Sequence, residues 1–141
     1  MMMTSAEPVL NDVLIALHRS LLQYANEAWP RTTAASVDAF ETIVSLATEQ
    51  AETVDRLTEL LRDRGYPVSF STYPDFSRFN YVSLEYLLAQ LLKDQSQVVA
   101  QCEAAARELA DEPEDGGLVQ AILEAEKSRL HRLQELAKTG K

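Results

Sequence analysis

With 141 residues, the chain is long enough for one domain with a real core and too short for two ordinary ones. Apolar residues make up 46% of it, which excludes wholesale disorder, and 4 Gly with 5 Pro leave little material for the turns of an all-β fold. A net charge of −9 excludes general binding to nucleic acid or to an anionic membrane surface, since both ask for a cationic face.

Residues 7–29 form the first helical segment, with Leu10, Leu14, Leu17, Leu21, Tyr24 and Ala28 at spacings of three and four. Ser5 suits its cap and Pro8 its first turn, and Pro30 ends it by pushing the preceding residue out of the helical region. Residues 33–64 form the second. Its seam is Phe40, Ile43, Ala47, Val54, Leu57 and Leu61, interrupted at Gln50. Gly65 is a natural C-terminal stop, with Pro67 beyond it.

Residues 65–80 lack helical period and carry Tyr66, Phe70, Tyr73, Phe76 and Phe79. An extended chain covers roughly 3.3 Å per residue, so this connection reaches roughly 50 Å, more than the about 30 Å of a twenty-residue helix. It is expected to cross the full length of the helices and leave its two neighbours parallel, held by aromatic packing. The third helix covers 81–110, with Tyr81, Leu84, Leu88, Leu91, Val98, Cys102, Ala105 and Leu109 on one stripe and Gln95, beside Asp94, as its odd member. DEPEDGG, residues 111–117, reads as a short loop between antiparallel neighbours. The fourth helix covers 118–138. Val119, Ile122, Leu133 and Leu136 mark its buried seam, and the intervening positions are Glu126 and Arg129. Residues 139–141 read as a frayed tail.

The expectation is an all-α fold of four helices in one domain over 1–141, with a polar residue interrupting the apolar stripe at mid-height in the second, third and fourth. Such a level is either a satisfied hydrogen-bond layer or a ligand site. Cys102 has no partner for an intramolecular disulfide and reads as a buried structural thiol. The two histidines, His18 and His131, are too few and too separated to announce zinc. The opening MMMTSAEP lacks the pattern of a secretory signal and no uncharged apolar run approaches a bilayer span, so a soluble, cytoplasmic protein is expected.

In order and spacing the segments resemble the ferritin superfamily, and bacterioferritins most. Leu10-Asn11-Asp12-Val13-Leu14, leading to Leu21-Leu22-Gln23-Tyr24, is similar to the opening helix of that family. Thr53-Val54-Asp55-Arg56-Leu57 resembles the stretch that begins at the metal histidine of its first Glu-x-x-His motif, and Glu126-Lys127-Ser128-Arg129-Leu130-His131 resembles the second. The resemblance implies a ferritin-like four-helix bundle with a long crossover between helices two and three. Its iron ligands would fall on Leu17, Gln50, Thr53, Asp94 (or, one residue on, Gln95), Glu126 and Arg129. Of these six positions Asp94 and Glu126 keep a carboxylate, while Leu17 offers no donor, Gln50 and Thr53 are poor neutral ligands, and Arg129 repels a cation. In alternative registers, Glu49 with Glu52, or Glu124 with Lys127, turn onto a solvated face. His18 is adjacent to Leu17 and is the nearest spare imidazole, while His131 reads as boundary or surface.

Arg129 is therefore expected to stand in for the metal's charge, bridging Glu126 on its own helix with Asp94 across the bundle, with Gln50 and Thr53 on the remaining oxygens. The reading is a non-catalytic structural or interaction module with no metal and no cofactor, self-associating as a homodimer as the resemblance implies. Two other readings stay open: a metal-binding or iron-oxidising protein using Asp94, Glu126 and a histidine, and a small-molecule binder using the crossover aromatics and a pocket within the bundle.

Overall fold

Leucines at spacings of three and four put one apolar side on each helix, and the packing follows from those sides. The computed structural model describes residues 6–25, 37–70, 76 and 82–139. Within them the chain is all-helical: Ala6–His18 (α1), Leu21–Ala25 (α2), Val37–Asp63 (α3), Leu84–Glu108 (α4) and Pro113–Thr139 (α5). No strand occurs among the described residues, and none of their helices is long and apolar enough to cross a membrane.

The expected first helix is broken. Arg19 and Ser20 leave the helical path, and the Ser20 hydroxyl accepts from the Gln23 backbone N–H at 3.3 Å, capping α2. Residues 26–29 of that expected helix and 33–36 of the next lie outside the described residues. The third helix was expected from 81, which is also outside them. It begins at Leu84, because Ser83 is extended and its side chain accepts from the Tyr86 N–H. The fourth begins five residues earlier than its apolar seam suggests, at Pro113. Proline fits a first turn because its missing N–H is unpaired there anyway, and Glu114 and Asp115 complement the N-terminal dipole. Gly116 tolerates this path because a Cβ there would lie 2.3 Å from the Leu109 carbonyl oxygen.

α3 stops as its sequence suggests. Gly65 takes φ +73°, the Tyr66 N–H donates to Leu61 and the Gly65 N–H to Arg62, which closes the last turn. Beyond it, Asn11 holds the chain by two bonds to the Ser69 backbone, each 3.0 Å. Phe70 packs on His18, with centroids 5.0 Å apart, and Phe76 packs on Tyr24 at 5.5 Å. Residues 71–75 and 77–80, with Tyr73 and Phe79, lie outside the described residues.

Contacts fix the relative directions of the helices. Arg64, just past α3, meets Glu7 at the start of α1 and Asp115 at the start of α5, at 2.8 and 2.7 Å. Nearer the other end of α3, Gln50 bonds both Ser20 and Glu126, so α3 runs opposite to α1 and α5. Gln95 of α4 also meets Glu126, and the turn between α4 and α5 is short, so these two are antiparallel neighbours. The apolar core falls into two clusters. One gathers Leu10, Leu14 and Leu17 with Leu57, Leu61, Val98, Cys102 and Val119. The other gathers Leu21, Leu22, Ile43, Leu46, Leu87, Leu91 and Leu133.

Candidate functional site

The site is the polar level between those clusters. On α3 it falls between Ala47 and Val54, on α4 between Leu91 and Val98, and on α5 between Leu123 and Leu133. Gln50, Gln95, Glu126 and Arg129 all project there, because each occupies a seam position where the neighbouring turns carry aliphatic residues. A fifth contributor is Ser20, supplied by the break between α1 and α2.

Glu126 is the hub and is 0% exposed. Its Oε1 accepts from Gln50 Nε2 and from Gln95 Nε2, both at 2.8 Å, and its Oε2 accepts from Arg129 Nη1. Gln95 Nε2 also reaches the Glu126 carbonyl at 3.1 Å. Gln50 Oε1 in turn accepts from the Ser20 hydroxyl and from Gln23 Nε2, each at 2.9 Å. A connected network thus runs from Ser20 and α2 through α3 to α5 and α4, in a setting where each unpaired group would be costly. Two buried atoms lack a hydrogen-bond partner among the described residues, Gln95 Oε1 and Arg129 Nε.

Arg129 does not bridge Glu126 to Asp94. It is 6% exposed, and its second carboxylate is Glu49, whose Oε1 lies 3.7 Å from Nε. Glu49 also meets Arg132 at 3.2 Å, so the carboxylate expected on a solvated face reaches back to the edge of the cluster. Asp94 faces elsewhere because one residue turns a helical side chain by about 100°, and in α4 it is Gln95 that points inward. Asp94 Oδ2 accepts from the Leu21 N–H at 2.9 Å and closes the start of α2. Burial pushes its carboxyl above the usual carboxylate range, and the Leu21 hydrogen bond opposes that.

The six expected positions are therefore divided. Gln50, Glu126 and Arg129 share one network, while Leu17 belongs to an apolar cluster. Thr53 is buried beside the network and accepts from Arg56 Nη2 at 3.3 Å, contacting neither carboxylate oxygen of Glu126. Ser20 and Gln23 join the site without being marked by the apolar period; the signal that points to them is the capping-box spacing Ser20-x-x-Gln23.

The arrangement offers little chemistry. The Cys102 thiol is pushed up to about 12, first by burial and then by the Glu126 charge, with Arg129 opposing, so it is a poor nucleophile. Burial lowers His18, which packs on Phe70, and His131 is exposed beside Glu135. Among the described residues no three His, Cys, Asp or Glu side chains gather to hold a metal ion. No protein-family model matches the chain, and no curated protein matches it either.

Proposed function

We propose that the chain is a non-catalytic, ferritin-like four-helix bundle in which the Glu126 network stands where that family holds two irons. The observation that carries this reading is that both Glu126 oxygens are engaged. Oε1 accepts from two glutamine amides and Oε2 from a guanidinium, so a cation chelated by both oxygens would have to displace donors at each, the charged Arg129 among them. The residues do not fit a di-iron centre. Leu17 and Thr53 supply no anionic donor, Asp94 is engaged with Leu21, and Arg129 brings a permanent positive charge to the level where the metals would lie.

The topology supports the family reading. α3 runs opposite to α1, and α4 runs opposite to α5, which itself runs opposite to α3, so α3 and α4 are parallel and need a connection as long as the helices. Three contacts of residues 65–80 support such a crossover: Ser69 with Asn11, Phe70 with His18 and Phe76 with Tyr24 come in the order of α1 and α2. As a module without chemistry the protein would act by association, and a second copy of itself is the first partner to test by sedimentation over a concentration series.

The deciding experiment is loading with excess ferrous iron in air, followed by desalting, metal analysis and oxygen-uptake measurement. The expected result is less than one iron per chain and no oxygen consumption above the buffer rate. Two irons per chain with oxygen uptake would overturn the reading.

A further inference from the structure

The usual helix breakers are missing where α1 stops at His18. Residues 9–29 contain no Gly and no Pro, and Leu10, Leu14, Leu17, Leu21 and Tyr24 keep one helical face through the break. A sharp interruption without those residues comes from a side chain that enters the backbone ladder. Here that side chain is Asp94 of α4. Its Oδ2 takes the Leu21 N–H at 2.9 Å, which a continuous helix would give to the Leu17 carbonyl. The Leu17 carbonyl accepts instead from the Ser20 N–H, one residue early, at 3.3 Å.

Ser20 diverts a second backbone bond. Its hydroxyl accepts from the Gln23 N–H, which a continuous helix would give to the Arg19 carbonyl, and donates to Gln50 Oε1 of α3 at 2.9 Å. A full capping box would send the Gln23 side chain back to the Ser20 N–H. Gln23 Nε2 goes to α3 instead, to the Ala47 carbonyl at 2.7 Å and to Gln50 Oε1 at 2.9 Å. The break is thus held from α3 and α4, by groups outside the segment it divides.

We propose that residues 18–22 are a two-state joint: Asp94 and Gln50 hold it broken, and loss of those contacts lets α1 and α2 close into one continuous helix. Closing restores the backbone bonds from Leu21 to Leu17 and from Gln23 to Arg19, so neither donor is stranded, and the leucines stay on one face. It also withdraws Ser20 and Gln23 from Gln50 Oε1, while Nε2 of the same amide donates to Glu126. The joint therefore ties the direction of α2 to the buried network. Asp94 and Ser20 line an open groove of about 460 Å³ between α1 and α4, so the latch is reachable from solvent.

Scalar couplings across hydrogen bonds, read by NMR, name the acceptor of an amide directly. In the parent chain the Leu21 N–H should couple to the Asp94 carboxyl carbon. Ser20→Ala with Asp94→Ala removes both the carboxylate and the hydroxyl that reaches Gln50. In that chain Leu21 should couple to the Leu17 carbonyl, positions 19 and 20 should take helical Cα shifts, and the Gln50 side-chain amide should shift with them. Asp94→Asn keeps an acceptor and should stay broken. Should the double variant lose its fold, Asp94→Ala alone decides. Losing one hydrogen bond to a charged group should raise its ratio of closed to broken joint by about tenfold or more, read by saturation-transfer exchange at Ser20. A folded double variant whose Leu21 does not couple to Leu17 would overturn the proposal. So would residues 21–25 losing their helical shifts instead of joining α1, or Asp94→Ala with the exchange profile of the parent.

Discussion

Arg129→Met isolates the energetics of the buried level. Methionine keeps much of the apolar stem and removes the guanidinium. Glu126 Oε2 then loses the donor it has in the structure, while Oε1 keeps Gln50 and Gln95. Because Glu126 is fully buried, water cannot replace the lost partner without opening the core. Stranding one member of such a pair costs about 3–5 kcal/mol, against a total stability of order 5–15 kcal/mol for a domain. The half-exposed contact to Glu49 adds little, since exposed pairs contribute about 0–1 kcal/mol. Urea unfolding followed by helical circular dichroism reads this loss in free energy, and in thermal melts the melting temperature should fall by about 10–15 °C. Adding Glu126→Gln in the same chain removes the stranded charge but keeps an acceptor for both glutamines. The double variant should therefore recover part of the loss and give a coupling energy above about 1 kcal/mol. Arg129→Met within about 1 kcal/mol of the parent, or strictly additive variants, would show that the two charges do not depend on each other.

Other substitutions read single contacts. Burial raises the Asp94 carboxyl in the folded state, so its contribution is present below the unfolded value of 3.8 and is lost as pH rises through the raised folded value. Asp94→Asn can still accept from Leu21 and does not titrate, so its melting temperature relative to the parent should rise between about pH 4 and pH 7; a difference independent of pH would count against this assignment. Asn11→Ala removes two bonds to Ser69 and should cost about 1–2 kcal/mol in urea unfolding, whereas an unchanged midpoint would mean that the chain after α3 is not held there. Gly116→Ala meets the Leu109 carbonyl and should destabilise by about 1–3 kcal/mol, while Gly117→Ala enters open space and should stabilise by about 0.5–1 kcal/mol; thermal melts giving both the same sign would contradict the packing of this turn.

Leucine spacing makes the helices and their mid-height polar interruptions legible in the sequence, because both follow from the 3.6-residue period alone. On α4 the period marks Gln95 as the inward residue, and Asp94 enters only through the alignment implied by the resemblance; that alignment is off by one position, a rotation of about 100° that sends Gln95 to the core and Asp94 to the α2 terminus. Glu49 was assigned to solvent on the same grounds, but a glutamate side chain is long enough to bend back to Arg129. The break at Ser20 was hidden because Leu17 and Leu21 keep their spacing across it. In DEPEDGG, proline and glycine were read as loop formers, while the structure uses the first as a helix starter and Gly116 to admit a neighbouring carbonyl.

The division of the core into two apolar clusters has a consequence for alignment. Leucine packing alone is nearly indifferent to sliding one helix past another by a turn, about 5.4 Å, since leucine again meets leucine. Glu126 removes that indifference. Its two glutamines and its arginine sit at one height, and a slipped helix would set a carboxylate against aliphatic side chains with no donor in reach. The buried charge thus acts as a vernier mark, telling three helices from different parts of the chain where along their length to stop.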